Sequence, residues 1–276
     1  MEIATLFGLV LGIGALIGSM LIEHNNVTAL INLAAIVLVI GGTLGATATG
    51  VPLRQLRKLP KLLLLTFRPP AFHAEEIVEQ VRELADRARR DGLLALDDSL
   101  DELSDPFLKM GMQMVVDGTD PGLIRDVMES ELQSIAERHE NGAAMFEAAG
   151  GYAPTMGIMG TVVGLISVLG NISDVTRLAS SVATAFVATL WGVATANFLW
   201  LPLATKLRNL HGEEEAVREM EIEAVLSIQA GDNPRVIEQK LLTFLSSEQR
   251  ARYIQLQEKS RTAPAEPLQQ ERRGSA

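Results

Sequence analysis

The sequence has no cysteine, so it forms no disulfide, presents no thiolate nucleophile and offers no sulfur to a metal. It has four histidines, His24, His73, His139 and His211, and no HExxH, CxxC or GxSxG motif. The stretch "RHENG" (138–142) reads as a solvated helix surface rather than a metal site. "GTVVGLISVLG" (160–170) is no phosphate loop, because no Lys-Ser or Lys-Thr follows its glycines. No enzyme site and no cofactor are therefore expected. No internal repeat is present. A net charge of −10 argues against nucleic acid as a partner.

Charge is absent in a patterned way. Asp, Glu, Lys and Arg are missing from Ile3–Ile22, His24–Leu53, Ala148–Ser173 and Leu178–Thr205. Each window holds the roughly 20 apolar residues that cross a hydrocarbon core as a helix. The sequence predicts an all-α, polytopic membrane protein with four transmembrane helices and a cytoplasmic helical domain. The first window is not expected to be a cleaved signal peptide. It is preceded by Glu2 and no basic residue, and no small-x-small site follows. Of the 24 Lys and Arg, 12 lie between Val51 and Phe146 and 11 from Ala204 onward, leaving only Arg177 elsewhere. The positive-inside rule then places the long loop, the tail and both termini in the cytoplasm. The short links "EHNN" (23–26) and "SDVTR" (173–177) fall outside.

The expected organisation is spans 1 and 2 in 1–50, a loop domain in 51–146, spans 3 and 4 in 147–205, and C-terminal helices in 206–258. A polar tail, 259–276, is expected to be disordered. Span 1 (3–22) carries the Gly-xxx-Gly pairs Gly8/Gly12 and Gly14/Gly18, and span 2 covers about 27–49. "RQLRKLPKLLLLTFRPP" (54–70) reads as an interfacial helix interrupted by Pro60, its basic residues meeting lipid headgroups. Further helices are expected over 74–92, stopped by Gly92, over "LLALDDSLDEL" (93–103), and over 104–118, stopped by Gly118. Another starts at Asp120–Pro121 and runs into span 3. Span 4 is expected to continue through 213–229, followed by short helices after "DNP" (232–234) and over 247–258.

Inside spans 3 and 4 the polar side chains read as hydroxyls only. They are Thr155 and Thr161, then Ser180, Ser181, Thr184, Thr189 and Thr195. A hydroxyl can hydrogen-bond a proton carrier or a hydrated cation, but it holds no proton at neutral pH. Either the chain moves nothing, or a partner brings the titratable group. Pro154, Gly157, Thr161 and Gly164 fall within about an 80° arc of a helix. Ser181, Ala185, Ala188, Gly192 and Thr195 form a second small-residue face. Such faces serve close packing within one chain, or a smooth lining against another helix bundle. Pro154 and Pro202 each remove a backbone hydrogen bond and can act as hinges.

"APTMGIMGTVVGLISVL" (153–169), "ATLWGVATANFLWLPLATKL" (188–207), "ARRDGLLALD" (88–97) and "GGTLGA" (41–46) together resemble the A-subunits of the bacterial flagellar motor stator. These belong to the MotA/TolQ/ExbB superfamily, and the likeness covers residues 1 to about 230. Four spans with a long loop between spans 2 and 3 select the flagellar branch over the three-span ExbB and TolQ branches. The resemblance implies five A-subunits around two copies of a MotB-type B-subunit. That partner's helix supplies the ion-binding aspartate, and its outer domain grips peptidoglycan. Ion flow would turn the pentamer against the rotor protein FliG. It further implies that Pro154 and Pro202 couple ion binding to conformational change, and that Thr161 and Thr189 line the ion path. Arg89 matches the rotor-engaging charge. Asp97 matches its usual glutamate partner, one methylene shorter, and Asp98 beside it is a second candidate. Sodium-type relatives place a hydroxyl before the span 4 threonine. Here that residue is Ala188, which favours H⁺ over Na⁺ as the transported ion. An ExbB- or TolQ-like channel energising another envelope machine is the alternative.

Overall fold

The computed structural model describes residues 3–24, 26–170 and 175–262. In chain order the main helices are α1 (Ile3–Ile22), α2 (33–50), α3 (Leu59–Phe67), α4 (Ala74–Asp91) and α5 (Pro106–Val116). Then follow α6 (Pro121–Gly170), α7 (175–229), α8 (Pro234–Leu242) and α9 (Ser247–Thr262). Four apolar runs, in α1, in 27–50, in α6 and in α7, are long enough to cross a membrane. No strand occurs among the described residues. The chain divides into two compact units, one up to Ala71 with Glu131–Glu215, the other Phe72–Ser130 with Ala216 onward. As expected, α6 continues from its cytoplasm-type sequence into span 3, and α7 continues out of span 4. At 50 residues α6 is about 75 Å long, far more than a bilayer core requires.

In the first unit, span 2 departs from the expected helix over 27–49. Val27–Leu30 is a 3-10 turn, and the α-helix begins only at Leu33. Asn32 is the reason: its side chain accepts the Ala35 N–H at 3.1 Å and caps the new helix. The carbonyl of Leu30, left outside, accepts the Trp191 indole N–H at 2.8 Å. Pro60 likewise acts differently from expectation. It sits in the first turn of α3, where its missing N–H costs no hydrogen bond, so it starts that helix rather than interrupting one. Leu53–Leu56 is a separate turn before it. The packing of α6 on α7 in this unit centres on Phe146, Ala149, Ala153, Ala196, Trp200 and Leu203. Leu59, Leu62 and Leu65 of α3 cover that cluster. Arg208 ties the two helices at their polar ends, donating to Glu140 at 2.7 Å and Glu147 at 2.5 Å.

The second unit is an ordinary water-type core of large side chains: Leu108, Met112, Ile124, Met128, Met220, Ile228 and Leu241 are all at most 2% exposed. Its helix ends follow the sequence signals. Asp105 accepts the Phe107 N–H at 2.8 Å, Asp120 the Gly122 N–H at 2.9 Å, and Asn233 the Arg235 N–H at 3.0 Å. Gly92 ends α4 at φ 88°, a conformation that strains residues with a Cβ. The expected helix over 93–103 is instead a 3-10 turn, Leu93–Leu96, and one α turn, Asp97–Leu100. Arg218 lies over the Phe107 ring and donates to Glu221 at 2.9 Å, with Asp105 at 2.6 Å. Glu221 is fully buried. The last helix, expected over 247–258, runs to Thr262. The rest of the expected disordered tail, and parts of the two expected outer links (Asn25 in the first, 173–174 in the second), lie outside the described residues.

Candidate functional site

The site is the seam between the apolar lengths of α6 and α7. Its spacing is set by missing side chains. A Cβ on Gly157 would lie 3.0 Å from the Ala188 carbonyl oxygen and from the Thr189 Cα. One on Gly192 would lie 2.7 Å from the Ala153 carbonyl oxygen, and one on Gly164 would lie 2.6 Å from the Ala185 Cβ. The two small-residue faces therefore pack against each other. This decides between the two uses left open by the sequence: glycine here gives close approach within one chain, not clearance for another bundle. Backbones that close leave no room for anything but methyls and hydroxyls.

Within the seam Thr161 of α6 and Thr189 of α7 share a short hydroxyl–hydroxyl hydrogen bond. Thr161 also faces the carbonyls of Gly157 at 3.2 Å and Ala185 at 3.3 Å, and Thr189 faces that of Gly157 at 3.4 Å. Each hydroxyl has one proton to donate. The pair is thus closed on itself and the backbone, and it offers lone pairs rather than a titrating group. The structure brings these two predicted residues together. It does not add Thr155, which is exposed and donates to the Tyr152 carbonyl at 2.7 Å. Thr195 is buried on its own helix, donating to the Trp191 carbonyl at 2.7 Å.

Ala188 changes the ion argument. It is 1% exposed and packs with Ala35 and Val39 of α2, and a Cβ on Gly160 would meet its own Cβ at 2.5 Å. Position 188 is thus occupied in packing against α2.

Pro154 lies inside α6, half-buried, with no N–H to give the Gly150 carbonyl. Pro202 is exposed on α7, two residues past the end of a π turn, Ala196–Trp200. In that turn the Leu201 N–H reaches back to the Ala196 carbonyl. One extra residue in the turn relieves the clash that the proline ring makes with the preceding turn. Neither proline breaks its helix.

Sequence reasoning missed several groups. The spans do not carry hydroxyls alone. Asn197 of α7 is exposed and donates to the Val193 carbonyl at 2.9 Å. Asn32 donates to the Thr184 hydroxyl at 2.8 Å, and Ser167 and Ser181 face each other at 3.2 Å. Ser167, Ser181 and Thr184 line a cavity of about 260 Å³ with Gly160 and Gly164. An amide and a serine in a charge-free run were the available signals. "RHENG" is also not simply solvated. His139 is 30% exposed at its side chain, stands edge-on to His211 with centroids 5.4 Å apart, and has Nδ1 3.6 Å from Glu214. Burial, followed by the Glu214 charge acting in the opposite sense, leaves its pKa below the ordinary value.

In the second unit Arg89, Asp97 and Asp98 are all exposed. Arg89 and Asp97 form no ion pair among the described residues. Asp98 lies 4.0 Å from Arg87, whose guanidinium also donates to Ser99 at 2.5 Å. Arg87, two residues before Arg89 and about 200° round the helix, was missed because it resembles any other surface arginine. Among the described residues no cluster of His, Asp and Glu is arranged to hold a metal ion.

The family of MotA/TolQ/ExbB proton channels matches residues 99–220 of the chain. Motility protein A of Bacillus subtilis is 40% identical over 256 residues, covering 92% of this chain and 95% of that protein. Two solved structures are similar. One is the flagellar MotAB stator complex from B. subtilis, with TM-score 0.83, 40% identity, and 90% and 98% of the two chains covered. The other is MotAB of C. jejuni, with TM-score 0.85, 31% identity, and 90% and 97% covered. Similarity at this level, over nearly the whole of both chains and through the α6–α7 seam, leaves one assignment. The chain belongs to the MotA/TolQ/ExbB proton channel family, as a four-span member of its motility protein A branch.

Proposed function

We propose that this chain is the A-subunit of a flagellar motor stator, a channel component rather than an enzyme, which turns an ion gradient into torque. The observation that carries it is the seam. Two hydroxyls meet inside apolar helices, and the spans that hold them carry no carboxylate and no imidazole. A proton relay needs a carboxylate or imidazole at such a depth. The missing group fits a MotB-type partner whose single helix carries an aspartate, since the similar solved structures are MotAB complexes. Five copies of this chain around two of that partner is the arrangement we favour, with the second unit and both termini in the cytoplasm. The strong bias of Lys and Arg to the long loop and tail supports that topology.

Thr161 and Thr189 then face the ion path, and Pro154 and Pro202 are the points at which α6 and α7 change shape as the aspartate gains or loses its ion. Arg89, with Asp97 or Asp98, engages the FliG rotor protein. Of the two acids Asp97 is the more available, because Asp98 already has Arg87 nearby. The transported ion is H⁺. The hydroxyl pair is closed on itself and the backbone, and so supplies few oxygens to replace the hydration shell of Na⁺. Four spans disfavour the alternative of an ExbB- or TolQ-like channel serving another envelope machine.

Rotation of tethered cells in sodium-free medium, at constant proton motive force, tests the ion. Full speed is expected, and a requirement for Na⁺ would sink the proton reading. Pro154→Leu tests the coupling: the complex should assemble but not rotate, and normal swimming would remove Pro154 from the mechanism.

A further inference from the structure

Span 2 ends at Gly50, and a second, shorter helical stretch starts at Leu53. Three residues span at most about 10 Å, so this stretch begins at the level where span 2 leaves the hydrocarbon. Arg57 and Lys58, which join Leu53–Leu56 to α3, both keep right-handed helical backbone angles, and residues 53–67 wind almost as one helix. Arg54, Arg57, Lys58 and Lys61 recur at i, i+3, i+4 and i+7 and fall within about a 100° arc of it. All four are exposed, as is Arg68 beyond the end of α3. None of the five makes an ion pair or a side-chain hydrogen bond among the described residues. No Asp or Glu occurs from His24 to Ala74 to neutralise them locally.

The row has leucines on both sides. Leu59 and Leu62, on one side, cover the α6–α7 cluster, and a Cβ on Gly142 of α6 would lie 3.2 Å from Leu62 Cδ1. Leu53 and Leu64, on the other side, are 63% and 58% exposed. Cations that serve only as a topology signal need not share a face, nor lie beside bare leucines. An acidic protein surface would meet the cations and leave the leucines in water. A zwitterionic headgroup brings a cation of its own, which the row repels. An anionic phospholipid answers both halves, its phosphate meeting the cations and its acyl chain covering Leu53 and Leu64. We propose that Arg54, Arg57, Lys58 and Lys61 form a surface selective for anionic phospholipid, through which lipid charge holds α3 against the α6–α7 cluster. The proposal rests on the chain spanning a membrane, and not on the stator reading or the transported ion.

A tryptophan at an exposed leucine provides the readout. The full-length chain in its native assembly, carrying Leu64→Trp, is placed in phosphatidylcholine vesicles containing dibrominated phosphatidylglycerol or dibrominated phosphatidylcholine. The signal is the quenching added to that of the unsubstituted assembly. The anionic lipid should half-quench at a fraction lower by about fivefold or more, fivefold being the ratio expected of one cation near an anionic surface. Added salt should narrow the gap. Replacing the four cations together by Gln should abolish it, and exchanging Arg for Lys and Lys for Arg at the same positions should keep it. The melting temperature of the assembly should rise with the phosphatidylglycerol fraction, and that rise should vanish in the Gln variant. Equal quenching by both lipids would overturn the proposal in favour of an interfacial helix blind to charge. No quenching by either would overturn it in favour of a face covered by protein. A preference that survives in the Gln variant would place the selectivity elsewhere in the chain and overturn it too. None of these measurements reads ion flow or rotation, so a failed torque test leaves this proposal standing.

Discussion

The α6–α7 seam and the core of the second unit are both helix-on-helix packings, built from opposite materials. In the seam, Gly157, Gly164 and Gly192 bring backbones within reach of each other, and the polar groups are hydroxyls. In the second unit, Leu108, Met112, Met220 and Ile228 fill the space, and the polar groups are charged. Even there Gly111 matters, since a Cβ on it would meet Met128 at 2.7 Å, but the neighbour is a flexible side chain. Water drives the second core by expelling large apolar surface. Lipid is as apolar as leucine and gives no such drive, so the seam must gain its cohesion from close contact and hydrogen bonds.

The largest expected effect tests the seam. Gly192→Val places a side chain against the Ala153 carbonyl, which belongs to the backbone and cannot swing aside. Loss of assembled complex on size-exclusion is expected, whereas Gly14→Ala, with nothing within 4 Å, should assemble as wild type. If both behave alike, close approach is not what holds α6 to α7. Next is Arg218→Met, which leaves the buried Glu221 with one cation fewer. Removing one member of a buried pair costs about 3–5 kcal/mol. Thermal unfolding should show it, and Arg218→Met with Glu221→Leu should recover most of the loss.

A middle-sized effect separates charge that stabilises from charge that works. Arg89→Glu should cut torque under load with the complex intact, because Arg89 is exposed and makes no ion pair among the described residues. Unchanged swimming under load would remove it from the rotor contact. The smallest effect concerns pH. The His139 pKa lies below its unfolded value, chiefly through burial, so the unfolded chain binds more protons as pH falls through the ordinary histidine range. Stability should therefore decrease on acidification through about pH 6.5, levelling off below the depressed pKa. His139→Gln should flatten that part of the melting-temperature profile, and an unchanged slope would assign it to other groups.

Much of the fold was legible because its signals are local. Asp105, Asp120 and Asn233 cap helices as side chains of that kind do, and Gly92 and Gly118 stop them with positive φ. The charge-free runs became long helices for the same reason. Where the reading slipped, a single residue had two local uses. Asn32 looked like one polar residue within a span, yet it caps a helix and so moves its start to Leu33. Pro60 could break a helix or begin one, and only its position in the first turn distinguishes these.

By itself the sequence determined the four spans, the all-α class, the absence of a carboxylate or imidazole in spans 3 and 4, and the family. Each is a property of composition or of short-range pattern. Tertiary structure alone decided what faces what. It closed the two small-residue faces on each other, paired Thr161 with Thr189, turned Ala188 into packing against α2, and set Arg87 beside Asp98. A helical wheel orders side chains around one axis but does not say which helix lies against which face. That choice is made by the fit of residues far apart in the chain, and here a missing Cβ on one helix has meaning only through the carbonyl it lets approach from another.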